Sequence, residues 1–198
     1  MKLSEFIQAS TASPTTMREL FIRESAEELF RLFIDYVIST FLHYEENETL
    51  RGFFHCLGEK ACPYCRAGFK SKEYILLPVY SVGMGCVAVL KMPNTLGAFS
   101  LLSQIRRHLD DPEIAQKILI AKKDGKFKYI VEARPAGQHC HLGSDQIAAF
   151  ERAHLKGEID LSEIFPRPTA EDMRAVPSIA LKLEILNGHS PHPPESSL

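Results

Sequence analysis

The sequence predicts a mainly β domain of the α+β class, patterned as a small Greek-key barrel and interrupted by a cysteine-bearing loop. Three observations predict it. Residues 117–121 and 127–131 are β-rich runs flanking Asp124-Gly125, a dipeptide that favours a tight hairpin. Residues 74–82 and 85–92 form a second candidate pair across Gly83-Met84-Gly85. Residues 45–73 are polar and irregular in texture, and hold Cys56, Cys62 and Cys65.

The remaining elements follow in chain order. Residues 1–16 read as an N-terminal arm, with loop composition at Thr11-Ala12-Ser13-Pro14-Thr15-Thr16. Residues 17–23 read as a strand. Ile34, Tyr36, Val37, Ile38, Thr40 and Phe41 favour strands over a buried helix, which gives two strands at about 28–34 and 37–44. Residues 96–109 predict a helix with Leu96, Phe99, Leu101, Leu102 and Ile105 on its apolar side. Arg106, Arg107 and His108 gather at its C-terminal end, where the helix dipole favours cations. Ser144 is a candidate N-cap for a helix over about 145–155. Residues 17–142 are thus read as the core, 143–186 as a helical extension, and 187–198 as a disordered tail rich in His, Pro and Ser.

Composition bounds the function. A hydrophobic fraction of 45% in 198 residues supports a real core. No apolar run reaches the ~18 residues that span a bilayer, and Met1-Lys2-Leu3-Ser4-Glu5 does not begin a secretory signal. A cytoplasmic protein with no membrane partner is expected. Five cysteines without a signal argue against a disulfide scaffold and for metal or redox chemistry. The net charge of −2 conceals a split. Residues 1–49 carry four Lys or Arg against nine Asp or Glu, residues 50–134 fourteen against seven, and residues 135–198 five against nine. The basic middle could face a polyanion, or the three segments could neutralise one another.

The cysteine cluster has two chemical readings. Cys62 and Cys65 are separated by two residues, so both thiolates can face one ion while the backbone turns around them. Cys56 lies six residues upstream and is the natural third ligand. His43, thirteen residues before Cys56, would end a strand and supply the fourth. His55 competes with Cys56, since neighbours on an extended chain point opposite ways. One structural Zn2+ on His43, Cys56, Cys62 and Cys65 is the expected occupant. The rival reading is a thiol oxidoreductase, because Cys62-Pro63-Tyr64-Cys65 is the active-site tetrapeptide of glutaredoxins. That chemistry wants a preceding apolar strand and a following amphipathic helix to lower the first thiol's pKa. Here a short basic loop, 66–72, follows instead. His139-Cys140-His141 reads as a turn with surface histidines, and Cys86 as a core residue.

Cations and aromatics cluster in the same middle segment. Arg51, Arg66, Lys70, Lys72, Tyr74, Tyr80 and Arg106 are followed by Lys122, Lys123, Lys126, Phe127 and Lys128. On a strand, Lys126 and Lys128 would share one face, and Phe127 and Tyr129 the other. A cation-lined groove with aromatic platforms suits single-stranded nucleic acid: cations release counterions from phosphates, and each stacked base contributes about 1–3 kcal/mol. The plainer reading is that these lysines protect a sheet edge and the aromatics fill a core.

The order Phe41-Leu42-His43-Tyr44, Cys56-Leu57-Gly58, Cys62-Pro63-Tyr64-Cys65-Arg66-Ala67-Gly68, then the strand pair 74–80 and 86–90, resembles the phage single-stranded DNA-binding proteins of the T4 helix-destabilising type. The resemblance covers roughly residues 17–134. It implies an OB-fold core over 17–142 with an inserted zinc subdomain at about 43–73, and His43, Cys56, Cys62 and Cys65 as its ligands. It implies DNA-stacking roles for Tyr74 and Tyr80, and a non-enzymatic function in phage or mobile-element DNA replication or recombination. Single-stranded DNA would be the main partner, with replication or recombination proteins docking on the C-terminal region. Two features depart from the family: only Lys2 precedes Arg18 where a basic arm is expected, and the C-terminal region is only mildly acidic. A zinc-stabilised protein-interaction adaptor is the alternative from another class.

Overall fold

The computed structural model describes residues 17–33, 36–126, 128–137 and 141–187. The arm at 1–16, the tail at 188–198, Phe127, His139 and Cys140 lie outside the described residues. The protein is mixed α+β, with strands dominating its first two thirds and helices its last. It divides into two compact units. The first draws on Met1–Ser39 and Tyr74–Ile164, the second on Thr40–Glu73 and Phe165–Leu198. The helical C-terminal region is therefore shared between the units at residue 164, where the sequence reads one extension. No helix among the described residues is long and apolar enough to cross a membrane.

The first unit is built on an open sheet. Its strands are β1 (Arg18–Leu20), β2 (Glu27–Leu32), β5 (Lys72–Ser81), β6 (Cys86–Pro93), β7 (Lys117–Lys123) and β8 (Tyr129–Pro135), in the order β1-β6-β5-β2-β7-β8. The intervening β3 (Ile38–Glu45) and β4 (Gly52–His55) pair with each other as the hairpin of the second unit. In the sheet β1 runs parallel to β6, and the other neighbours are antiparallel. Both predicted hairpins form, β5–β6 and β7–β8, with Ser81 opposite Cys86 and Lys123 opposite Tyr129. Cys86, at the start of β6, is half-buried.

One sheet face buries Phe30, Leu32, Leu77, Val79, Leu90, Met92, Leu119 and Val131 against Leu101 and Ile105. Those two residues come from the helix Leu101–Leu109, which stands between β6 and β7 in the chain. The helix starts five residues later than the sequence predicts. The Ser100 hydroxyl accepts the Ser103 N–H at 3.2 Å and fixes the start there. Leu96 and Phe99 consequently precede the helix and lie exposed. A second displaced cap is at Ser144–Leu155, where Gly143 (φ 77°) is the N-cap and Ser144 the first helical residue. Gly143 has a steric reason as well. A Cβ there would collide with the Tyr80 ring.

The second unit replaces the predicted irregular stretch with structure. Among its described residues it holds the β3–β4 hairpin, one short helix α1 (Pro63–Arg66), and two C-terminal helices. Numbering onward, Leu101–Leu109 is α2, Ser144–Leu155 is α3, Ala170–Arg174 is α4 and Pro177–Leu186 is α5. Thr169 and Asp172 form a reciprocal capping box at the start of α4. The unit's core joins Phe54, Cys62, Tyr64 and Ala67 to Met173, Val176 and Ile179.

Candidate functional site

His43 sits on β3, opposite Phe54 of β4. Its ring lies 5.7 Å from that of Phe54 and 5.2 Å from that of Tyr64. Burial lowers the His43 pKa, so the imidazole is held in the neutral form that ligates metals. β4 ends at His55, and the Cys56 N–H bonds the Phe41 carbonyl at 3.0 Å, which fixes the next ligand beside the hairpin.

The chain then turns at Gly58, whose φ of 90° suits glycine and whose carbonyl accepts the Cys62 N–H at 2.8 Å. Cys62 caps α1, and Pro63 occupies the first helical turn, where a missing N–H costs nothing. The Arg66 N–H returns to the Cys62 carbonyl at 3.1 Å, and Gly68 (φ 87°) releases the chain. This tight turn brings Cys65 back beside Cys62.

The four predicted ligands converge. The ligand atoms of His43, Cys56, Cys62 and Cys65 all lie within 4.8 Å of one another. His43 Nε2 is 3.3 Å from Cys62 Sγ and 3.5 Å from Cys65 Sγ, and Cys56 Sγ is 3.5 Å from Cys65 Sγ. A tetrahedral ion with ordinary metal–sulfur and metal–nitrogen bonds would place such atoms about 3.6–3.8 Å apart. The four side chains lie close enough to hold a metal ion. The Cys65 thiol is pushed up to about 12, first by burial, then by its hydrogen bond to Cys56 and by neighbouring thiols. A cation among the three sulfurs would supply the opposite charge that favours the thiolate over the thiol.

His55 is not in the cluster. It is buried, and its Nδ1 lies 3.2 Å from the Thr40 hydroxyl.

Several partners of the cluster are not apparent from the local sequence. Tyr64 is fully buried, its ring 5.0 Å from Phe54 and 5.8 Å from Phe69, and its hydroxyl donates to Glu45 at 2.9 Å. Met173 of α4 places Sδ 3.8 Å from Cys62 Sγ. The spacing Met173, Val176, Ile179, Leu183 is a helical stripe that could have announced this packing. Pro177 interrupts it in the sequence.

The predicted basic and aromatic residues divide between the units. Arg51, Arg66, Lys70 and Lys72 are exposed on the second. Arg106, Lys122, Lys126 and Lys128 are exposed on the first, with Lys123 half-buried and 3.6 Å from Glu24. Tyr74 and Tyr80 belong to the first unit's interior, 8% and 4% exposed. Lys91, paired with Glu19 at 2.9 Å, stands over the Tyr74 ring at 5.5 Å from its centroid. Tyr80 lies opposite Arg31 in the β2–β5 register, with Gly143 close against its ring. Neither tyrosine offers an open stacking face. Lys126 and Lys128 do not alternate along a strand, because β8 begins only at Tyr129. Instead Lys128 bonds Asp124 across the turn at 2.6 Å. Compared with known proteins, the chain matches no family model, no curated protein and no solved structure.

Proposed function

We propose that this chain is a sequence-tolerant, non-enzymatic single-stranded DNA-binding protein whose second unit is held by one structural zinc ion. It would coat exposed strands during phage or mobile-element DNA replication or recombination, in the cytoplasm of a bacterial host. The observation that carries this reading is the order of elements in the first unit. β2 pairs with both β5 and β7, β5–β6 and β7–β8 are hairpins, and α2 stands between β6 and β7. That connectivity is compatible with a partly open OB-fold. The ligand-bearing segment lies between β2 and β5 in the chain.

Chemistry supports zinc as the ion. Three thiolates and one imidazole are a soft, four-donor set suited to a closed tetrahedral site. All four positions are filled by protein, so the ion would stabilise structure. His43, Cys56, Cys62 and Cys65 would hold it, and α1 and the β3–β4 hairpin would be fixed by it. The exposed lysines and arginines of both units then supply phosphate contacts, which tolerate any base sequence. Replication or recombination proteins would dock on the C-terminal region.

Two other readings are weaker. A dithiol oxidoreductase needs its first thiol reachable, whereas Cys62 is 0% exposed. A protein-interaction adaptor has one observation in its favour: Leu181, Ile185 and Leu186 of α5 are exposed.

Titration of the chain with fluorescein-labelled oligo-dT at several salt concentrations tests the proposal. Log affinity should fall with log salt at a slope of about −0.7 per phosphate neutralised. A flat response, or no binding in low salt, overturns it. Elemental analysis should return one zinc per chain. Another metal, or none, would remove zinc from the reading.

A further inference from the structure

An exposed phenylalanine by itself says little, since single apolar side chains are common on surfaces. Phe99 differs in three respects. It is 57% exposed, yet its backbone is braced. The Phe99 carbonyl accepts the Tyr129 N–H at 2.9 Å, joining it to the first residue of β8. On either side, the Ala98 carbonyl accepts from Gln104 Nε2 at 2.7 Å and from an Arg107 guanidinium N–H at 3.3 Å, and the Ser100 hydroxyl donates to the Thr95 carbonyl at 2.7 Å. The ring is therefore carried on a fixed support, and little order has to be created when something lands on it.

The second respect is charge. Lys128 Nζ lies 5.9 Å from the Phe99 ring centroid, close enough for a cation to act on the ring. Between β7 and β8 lies exposed Lys126, and Lys122 is exposed on β7 one residue before its end. Arg107, exposed at the end of α2, is tied to the preceding Ala98. The third respect is contrast: the two tyrosines that the sequence offers for stacking are buried, and Phe99 is an open ring in the same unit.

We infer that Phe99 is a base-stacking platform of the first unit, with Lys128 and its neighbours holding the adjoining phosphates of a single DNA strand. This rests on the single-stranded DNA-binding reading above. An aromatic face stacks on any base, and a cation beside it serves the phosphate of the nucleotide it holds. The pairing gives affinity without sequence preference.

The test compares Phe99→Leu and Phe99→Trp in the 198-residue chain loaded with zinc, using labelled oligo-dT and an abasic strand of equal length. Phe99 lies outside the buried core, so equal melting temperatures are expected. Phe99→Leu should weaken oligo-dT binding roughly 5- to 150-fold, the equivalent of about 1–3 kcal/mol for one stacked base. Its salt slope should match that of wild type. Phe99→Trp should bind as well as wild type or better. On the abasic strand, Phe99→Leu and wild type should bind alike. If wild type binds oligo-dT and Phe99→Leu binds it equally, the inference is overturned and the DNA-binding reading stands. The inference is also overturned if the leucine variant loses as much on the abasic strand. If wild type binds neither strand, both fall together.

Discussion

Around β2 and β7 the first unit buries Phe30, Leu119 and Ala121 against Leu101 and Ile105 of α2. Around α1 the second unit buries Cys62, Tyr64, Phe54 and Met173, with His43 beside them. The first core is apolar surface removed from water, continuous across several strands. The second is smaller and is organised around four donor atoms that a metal would bind. A unit of this size rarely supplies enough apolar burial to offset its chain entropy. With the proposed ion in place, the difference is one of where stability would reside: in packing for the sheet, in ligation for the knuckle.

The largest expected effect breaks the comparison at its centre. Replacement Cys62→Ser, or removal of the ion by a strong chelator, should unfold the second unit while the sheet keeps its native spectrum. Structural zinc contributes on the order of 10–16 kcal/mol in small metal-dependent folds. Two-dimensional amide NMR would read both units at once. Sharp, unshifted signals for Tyr64, Ala67 and Met173 in the chelated protein would show that ligation is not what holds the unit.

The converse change is made in the sheet. Phe30→Ala removes a ring that is 0% exposed and should destabilise the protein by about 3–5 kcal/mol in urea melts. Metal content should remain at its wild-type value. A variant that lost its metal along with its sheet would show that the two units do not stand apart energetically.

Met173 sharpens the contrast, because it belongs to the apolar core and also touches a ligand sulfur at 3.8 Å. If it acts by filling space, Met173→Leu should cost less than about 1.5 kcal/mol and Met173→Ala about 2–5 kcal/mol. Metal affinity, measured by competition with a chromophoric chelator, should follow the same order. Leucine and alanine variants equally weak for metal would assign the sulfur itself a role.

The same contrast governs what the sequence made legible. The sheet was readable because its signals are local: Asp124-Gly125 fixes one hairpin, and β-branched runs mark the strands that pair. The ligand set was readable because chelation demands particular side chains at short spacing, and only His43 had to be brought in from a distance. The surroundings were not. Met173 reaches Cys62 across 111 residues; the stripe it begins marks an apolar helix face, and nothing local says what that face covers. The burial of Tyr74 and Tyr80 was not legible for a related reason. A tyrosine on a strand has the same local sequence whether its ring faces solvent or, as here, Lys91 for Tyr74 and Gly143 for Tyr80. Phe99 was absorbed into a helix pattern because an apolar residue at helical spacing looks the same on either side of a cap, and Ser100 decides which side it falls on.

Acid supplies the smallest effect and separates the units again. In the second unit the thiolates must stay deprotonated to hold an ion, so acidification should release metal and structure together. In the first unit acid acts through exposed carboxylates such as Asp124, whose pKa is lowered by the hydrogen bond from Lys128 and then by the charges of Lys128 and Lys122. A carboxyl with a lower pKa when folded binds fewer protons than its unfolded form between the two values. Its contribution is therefore present above the ordinary carboxylate range, near pH 4, and is lost as pH falls through the folded value. The pair is solvent-exposed, so the contribution is small. The side-chain carboxyl carbon of Asp124 should titrate below the usual carboxylate midpoint, and Lys128→Met should raise that midpoint toward it. A midpoint that ignores the lysine substitution would mean that Lys128 does not hold Asp124 in solution, leaving its ammonium available to Phe99 and to a phosphate without competition.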